Sequence, residues 1–328
     1  MKIVIITPAR ARSRSGNRNT AARWAHLLRD LGHRVTVQVA WDGAPADVMI
    51  ALHARRSHDS IVRFRRAHPE STLVLALTGT DLYRDIRSDA GAQESMRLAD
   101  RMVVLQAEGL KELAARLRRK THVIYQSTHK SLRREPLASC FEVVVSGHLR
   151  EEKDPFRAAA AARHLPTSSR IRVTHLGAAM SPAMAAEARS WMRHEPRYRW
   201  LRERPHGEAL RILARARLMV ISSRIEGGAN VVTEALALGV PVIASRIPGN
   251  LGMLGRDYAG YYRLEDEHAL ARMLARAEKD PAFYRRLALQ CAARRPLVSR
   301  AREKRGLRKL LDGLERAIKS RRPLRRRR

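Results

Sequence analysis

Short apolar runs rich in Val and Ile alternate along this chain with segments whose apolar residues fall at helical spacing. KIVIITPA opens the series. A polar stretch follows, then a helical segment with Ala22, Ala25, Leu28 and Leu31 on one stripe and Gly32 as its stop. HRVTVQVAW, ADVMIALHA and TLVLALTGTDL repeat the strand signal, DSIVRFRRAHP the helical one, and QESMRLADRMVVLQAEGLKELAARLRRKTHVIYQS reads helix, strand, helix, strand. Continuous apolar runs suit strands buried on both faces, and strands joined by helices form parallel sheets. The fold class expected is α/β, with doubly wound parallel sheets.

The alternation breaks at THKSLRREPLAS, Thr128 to Ser139, where charge and a proline mark a linker. A second series starts at CFEVVVSGHLREEKDPFRAAAAARHL and runs through IRVTHLGAA, HGEALRILARARLMVISS and VPVIASRIPGN. From Glu265 to Ala317 the pattern is helical. Two Rossmann-like domains facing across a cleft are therefore expected, residues 1–138 and 139–285, with helices over 286–317. The basic run IKSRRPLRRRR, residues 318–328, reads as a disordered tail.

The formal net charge of +33 invites a nucleic-acid reading. The excess is mostly Arg and spread along the whole chain, and aromatics are only 5%, so the interleaved stacking residues of a single-strand reader are missing. No specific nucleic-acid partner is expected. Two cysteines, Cys140 and Cys291, give no disulfide framework and no metal spacing, which fits a reducing cytoplasm. The apolar run Ile3 to Ile6 is short for a signal peptide, and no run approaches the ~18–20 apolar residues of a membrane span. No integral membrane association is expected. GxGxxG and GxxxxGK[ST] are both absent, so a bound nucleotide needs another device.

Three segments of the second domain fall where ligands of open α/β sheets bind, beyond the carboxyl ends of strands. SGHLREEKD offers Arg150 and Lys153 after a strand, with Gly147 for close backbone approach; it suits a diphosphate, or is a polar turn with solvated charges. RIEGGANVVTEALALG places Gly227 and Gly228 before a helix starting near Ala229 and Asn230. Helix N–H groups attract an anion, and Asn230 is also a candidate cap. Glu226 lies just before that helix and Glu234 about one turn inside it. Carboxylates accept from vicinal sugar hydroxyls, so a phosphate flanked by two hydroxylated rings would use all of these groups. The plainer readings are a first-turn dipole partner and a solvated helix face. Arg202, with the backbone near Trp200, is the candidate base pocket; Trp200 reads equally as core.

GHLREEKDP and EGGANVVTEALALGVPVIAS resemble the donor-site motifs of retaining GT-B glycosyltransferases of glycosyltransferase family four. The resemblance implies that Lys153 and an arginine position, occupied here by His148, hold the diphosphate, with Arg150 as a substitute. It implies that Glu226 lies near the donor sugar, that Glu234 holds ribose hydroxyls, and that Gly228, Ala229 and Asn230 approach sugar and phosphate. It also implies helices returning to the first domain over 286–317. The blocks GNRNTAARWAHLLRDLGH, ALHARRS, LTGTDLYRDI, VIYQS, GHLREEKDPFRAA, SRIEGGANVVTEAL and PGNLGMLGRDYAGYY, in order from Gly16 to Tyr262, are similar to one branch, the selenosugar synthases of selenoneine biosynthesis. Those join selenophosphate to the sugar of UDP-GlcNAc or UDP-glucose, with no cofactor. The partners implied are the UDP-sugar, selenophosphate and the proteins that supply it. No metal is expected, since no DxD occurs in the chain.

On that resemblance the acceptor is held by the first domain, where a small, multiply charged anion needs cations and N–H donors. Gly16, Asn17, Arg18, Asn19 and Thr20 stand beside a helix start, and Arg55, Arg56, Thr78 and Thr80 follow later strands. His53 and Asp81 join Glu226 as catalytic candidates. A selenium nucleophile of low pKa needs little general-base help. The alternatives are a family-four-type transferase with a hydroxyl or lipid acceptor, and a basic nucleic-acid-binding protein.

Overall fold

The computed structural model describes residues 1–9, 16–128 and 132–314. The basic tail expected at 318–328 lies outside them. The chain divides into two units, Met1–Gln126 with the segment from Arg300, and Ser127–Ser299.

Unit 1 holds β1 (Lys2–Ile6), β2 (Arg34–Gln38), β3 (Val48–Leu52), β4 (Thr72–Leu77), β5 (Arg101–Val104) and β6 (Thr121–Val123). Its helices are α1 (Gly16–Arg29), α2 (His58–Ala67), α3 (Ile86–Ser88), α4 (Ala90–Leu98) and α5 (Ala115–Arg118), with a π-helical turn over Asp81–Asp85. The strands pair in parallel in the order β2-β1-β3-β4-β5-β6. Successive residues of β1 serve opposite faces, as a strand must. Ile3 and Ile5 pack with Trp24, Leu27 and Leu28 of α1, whereas Val4 and Ile6 lie with Ile61 and Phe64 of α2.

Unit 2 holds β7 (Phe141–Ser146), β8 (Ile171–Leu176), β9 (Tyr198–Trp200), β10 (Leu218–Ile221), β11 (Val242–Ser245) and β12 (Tyr261–Tyr262). Its helices are α6 (Arg157–Ala162), α7 (Pro182–His194), α8 (His206–Arg215), α9 (Asn230–Leu238), α10 (Pro248–Leu254), α11 (Glu267–Lys279) and α12 (Pro281–Arg294). The order is β12-β11-β10-β7-β8-β9, again all parallel. Counted from β7, this is the dinucleotide-binding order, whose strand sequence reverses between the first and fourth strands. The reversal falls between β7 and β10 in unit 2 and between β1 and β3 in unit 1.

Two boundaries differ from the sequence reading. The linker segment after Ser127 packs within unit 2: Glu135 N–H donates to Ala214 O, Leu137 N–H to Arg215 O, and Arg134 Nη2 to the Tyr284 hydroxyl at 2.6 Å. The helical stretch is also divided. α12 stays in unit 2, where Leu287 and Cys291 are buried and Arg294 bonds the carbonyl of Met253. Only α13 (Arg300–Leu311) belongs to unit 1, where Leu307 and Leu310 join the α1 face of the sheet. Glu303 of α13 is 1% exposed and accepts from Arg23 Nε and Trp24 Nε1 of α1. A buried carboxylate needs such donors, and they fix the seat of α13. Among the described residues no helix is long and apolar enough to cross a membrane.

Candidate functional site in unit 2

The loop after β7 and the loop after β10 flank the reversal of strand order. Lys153 stands on a single 3-10 turn in the first and Glu226 before α9 in the second. Their side chains form an ion pair, with the Glu226 side chain 8% exposed and that of Lys153 21%. The Ser223 hydroxyl donates to the same Glu226 oxygen, Oε1, at 2.6 Å. Two further residues buckle the loops together. The Ser222 hydroxyl lies within hydrogen-bond reach of the carbonyls of Lys153 and Asp154, at 3.1 and 2.8 Å. Arg224 donates to Glu151 O at 2.7 Å and pairs with Glu265. Ser222, Ser223 and Arg224 escaped the sequence reading, although all three sit at the end of an apolar run, where ligand-edge residues belong.

α9 begins at Asn230, with Ala229 in the capping position. Asn230 is thus the first helical residue, not the cap. Ala229 offers no side-chain oxygen, so no side-chain cap closes the start of α9. Gly227 and Gly228 are buried just before it. Glu234 accepts from His206 Nε2 at 2.8 Å, at the start of α8. The two glutamates are not joined by a hydrogen bond; each has a separate cationic or imidazole partner.

His148 occupies the place where the resemblance called for arginine. Its Nδ1 accepts from the Ala178 N–H at 3.1 Å, which puts the ring proton on Nε2. Arg150 is exposed, and no described side-chain contact holds it. The loop after β7 is itself pinned from beneath. His175 Nε2 lies 3.2 Å from the carbonyl of Gly147, so that nitrogen carries the proton, and Nδ1 accepts from the Tyr198 hydroxyl at 2.9 Å. Complete burial pushes the His175 pKa down to about 4. Gly177, at φ +151°, lets the β8 loop pass so close that a Cβ would stand 1.9 Å from Gly147 O. Trp200 is 8% exposed and donates to Gly177 O, so it supports this loop. Arg202 sits at φ +58°, is exposed, and accepts from Gly177 N–H through its carbonyl.

The unit 1 candidates gather on the equivalent edge of their own sheet. Gly16 to Thr20 form the first turn of α1, not a loop. Thr20 donates to Gly16 O and accepts from the Gln126 amide at 2.6 Å. Asn17 and Arg18 are half-buried and Asn19 is exposed on the same turn. His53 adopts φ +77°, is 2% exposed, and its Nε2 meets Thr80 Oγ1 at 3.1 Å. Its Nδ1 accepts from Arg56 N–H, and burial lowers its pKa from the ordinary value. Asp81 is fully buried, and its carboxylate accepts from the N–H groups of Thr78, Gly79 and Ala54. A carboxylate that accepts three backbone N–H bonds holds these loops in place. Asp85, not a candidate in the sequence reading, is 4% exposed between Arg55 Nε at 3.3 Å and Arg84 Nε at 3.2 Å. Arg56 is exposed beside them. Among the described residues His164, Glu267 and His268 stand close enough to share a metal ion, but Arg157 already bonds Glu267.

Residues 136–294 match the family model of glycosyl transferases group 1. Unit 2 is thus similar to a glycosyltransferase group 1 domain. The matched span covers both Lys153 and Glu226 and every loop on the β7–β10 edge. Solved structures extend the likeness to the whole chain. Anabaena HepE, in complex with UDP and glucose, is 14% identical with a TM-score of 0.73, over 98% of this chain and 100% of that one. The sucrose-phosphate synthase of Thermosynechococcus elongatus is 16% identical with a TM-score of 0.73, over 96% and 99%. The lipopolysaccharide outer core galactosyltransferase WaaB is 12% identical with a TM-score of 0.64, over 95% and 99%. These likenesses give the fold, the GT-B pair of parallel-sheet α/β domains. Among proteins of curated function none matches this sequence.

Proposed function

We propose that this protein is a UDP-sugar glycosyltransferase whose acceptor is selenophosphate, making a carbon–selenium bond at the anomeric carbon. The observation that carries the donor half is the Lys153–Glu226 pair, set across the strand-order reversal beside Gly227, Gly228 and the uncapped start of α9. A diphosphate brought to this edge meets an ammonium group and helix N–H donors, which stabilise the charge that builds on UDP as the C1–O bond breaks. Glu226 is then freed for a sugar hydroxyl, and Glu234 takes the ribose. HepE, with UDP-glucose in its structure, lends support by fold.

The acceptor half rests on the ordered blocks from Gly16 to Tyr262 and on the chemistry of unit 1. That edge offers Arg55, Arg56, Thr80 and the first turn of α1, while Asp81 accepts from three backbone N–H groups and Asp85 lies between two arginines. His53 has both ring nitrogens engaged. The described carboxylates there face backbone N–H groups or arginines, with Asp85 Oδ2 paired in charge with Arg55 but without a hydrogen bond. A nucleophile that arrives already ionised suits such an edge. The selenium lone pair forms the bond to C1 as the C1–O pair leaves with UDP.

The test is a panel of UDP-GlcNAc and UDP-glucose, each with and without enzymatically made selenophosphate, read by mass spectrometry. A product with selenium on the sugar, formed only with selenophosphate, is the expected result. A glycoside formed from a hydroxyl acceptor in its place assigns the conventional transfer reaction.

A further inference from the structure

We infer that a buried hydrogen-bonded relay, Asn250–Ser245–Ser223, commits one carboxylate oxygen of Glu226 and thereby presents the other to the donor sugar. The inference rests on the proposed donor site and names positioning residues to which the sequence reading gave no role. The relay's direction follows from counting protons. The Ser223 hydroxyl has one proton, given to Glu226 Oε1 at 2.6 Å. The Ser245 hydroxyl gives its proton to Ser223 O at 2.6 Å. Its own lone pair then accepts from Asn250 Nδ2 at 3.1 Å, and that amide also donates to Ser245 O at 2.9 Å. Ser245 and Asn250 are fully buried, Ser223 is 2% exposed and Glu226 7%.

Two more features converge on Glu226. Lys153 pairs with the same oxygen, Oε1. Gly249, at the start of α10, packs so tightly on the Glu226 backbone that a Cβ would lie 2.1 Å from Glu226 O. Glu226 is therefore held at its carbonyl, by Gly249, and at one carboxylate oxygen, by Ser223. Oε2 has no hydrogen bond to any described residue, and its lone pairs are acceptors only. A group that donates, such as a sugar hydroxyl, is its fitting partner. When a diphosphate draws Lys153 away, Ser223 still keeps the carboxylate plane fixed.

The test compares Ser223→Ala and Ser223→Thr with wild type. Read-outs are melting temperature, UDP affinity by calorimetry, and kcat and KM for the UDP-sugar. Losing one hydrogen bond to a charged group predicts about a tenfold fall in kcat/KM for Ser223→Ala. UDP affinity should be unchanged, since UDP lacks the donor hexose that Glu226 addresses. Ser223→Thr restores the hydroxyl and should recover most of the rate, whereas a purely steric role makes the bulkier threonine the worse variant. Ser245→Ala, one link further back, should show a smaller loss of the same kind. Equal kinetics in Ser223→Ala and wild type overturn the relay while leaving the donor site intact. Failure of wild type to bind UDP overturns the donor site instead. The relay is then judged by the ligand-free crystal structure of Ser223→Ala, where an unmoved Glu226 carboxylate counts against it and a rotated one supports it.

Discussion

Lys153 and Glu226 lie 73 residues apart in sequence and meet side chain to side chain at the one place in the second sheet where strand order reverses. An incoming diphosphate must compete with Glu226 for the ammonium group. Removing that group should weaken UDP binding by about 10- to 100-fold in Lys153→Ala, the worth of one or two charge-assisted hydrogen bonds. Calorimetry with UDP checks this. Binding at wild-type strength would place the phosphate elsewhere.

Glu226→Gln should separate binding from chemistry. The amide keeps the volume but loses the charge, so UDP affinity stays within a few-fold while sugar transfer falls by about 100-fold or more, as expected for a group that acts on the sugar and not on the nucleotide. Matched calorimetry and turnover measurements decide it.

His175 makes unit 2 sensitive to acid. Its folded pKa of about 4 lies below the unfolded 6.5, so the folded state refuses a proton that the unfolded chain accepts. The stability linked to His175 is fully present above pH 6.5 and is lost as pH falls from there toward 4, by about 3 kcal/mol in all. Protonation at Nδ1 would also break the acceptance from Tyr198, while the Nε2–H bond to the Gly147 carbonyl persists. Urea unfolding across this pH range should show the slope, and His175→Gln should flatten it.

Glu303→Ala tests the return of the chain to unit 1. It strips the ion pair of its buried acid and leaves Arg23, whose side chain is only 9% exposed, without that partner. A loss of about 3–5 kcal/mol is expected. Leu307→Ala, in the same helix, should cost about 2–5 kcal/mol by leaving a cavity. Denaturant melts of both variants give the comparison.

The sequence by itself determined the two parallel α/β units and the edge on which the candidates lie. A strand buried on both faces must be written as an unbroken apolar run, and KIVII and FEVVVS show that signature locally. The glycines before α9 and the charges after β7 were likewise visible, because turn and helix-start chemistry is local. What only the tertiary structure decided is which charges are spent. Asp81, a catalytic candidate in the chain, accepts from three backbone N–H groups. Asn230 proves to be the first helical residue and not the cap. The serine relay behind Glu226 joins the ends of two strands with the start of α10. Hydrogen bonds between distant loops depend on how strands are ordered in the sheet, and no local pattern of residues encodes that order.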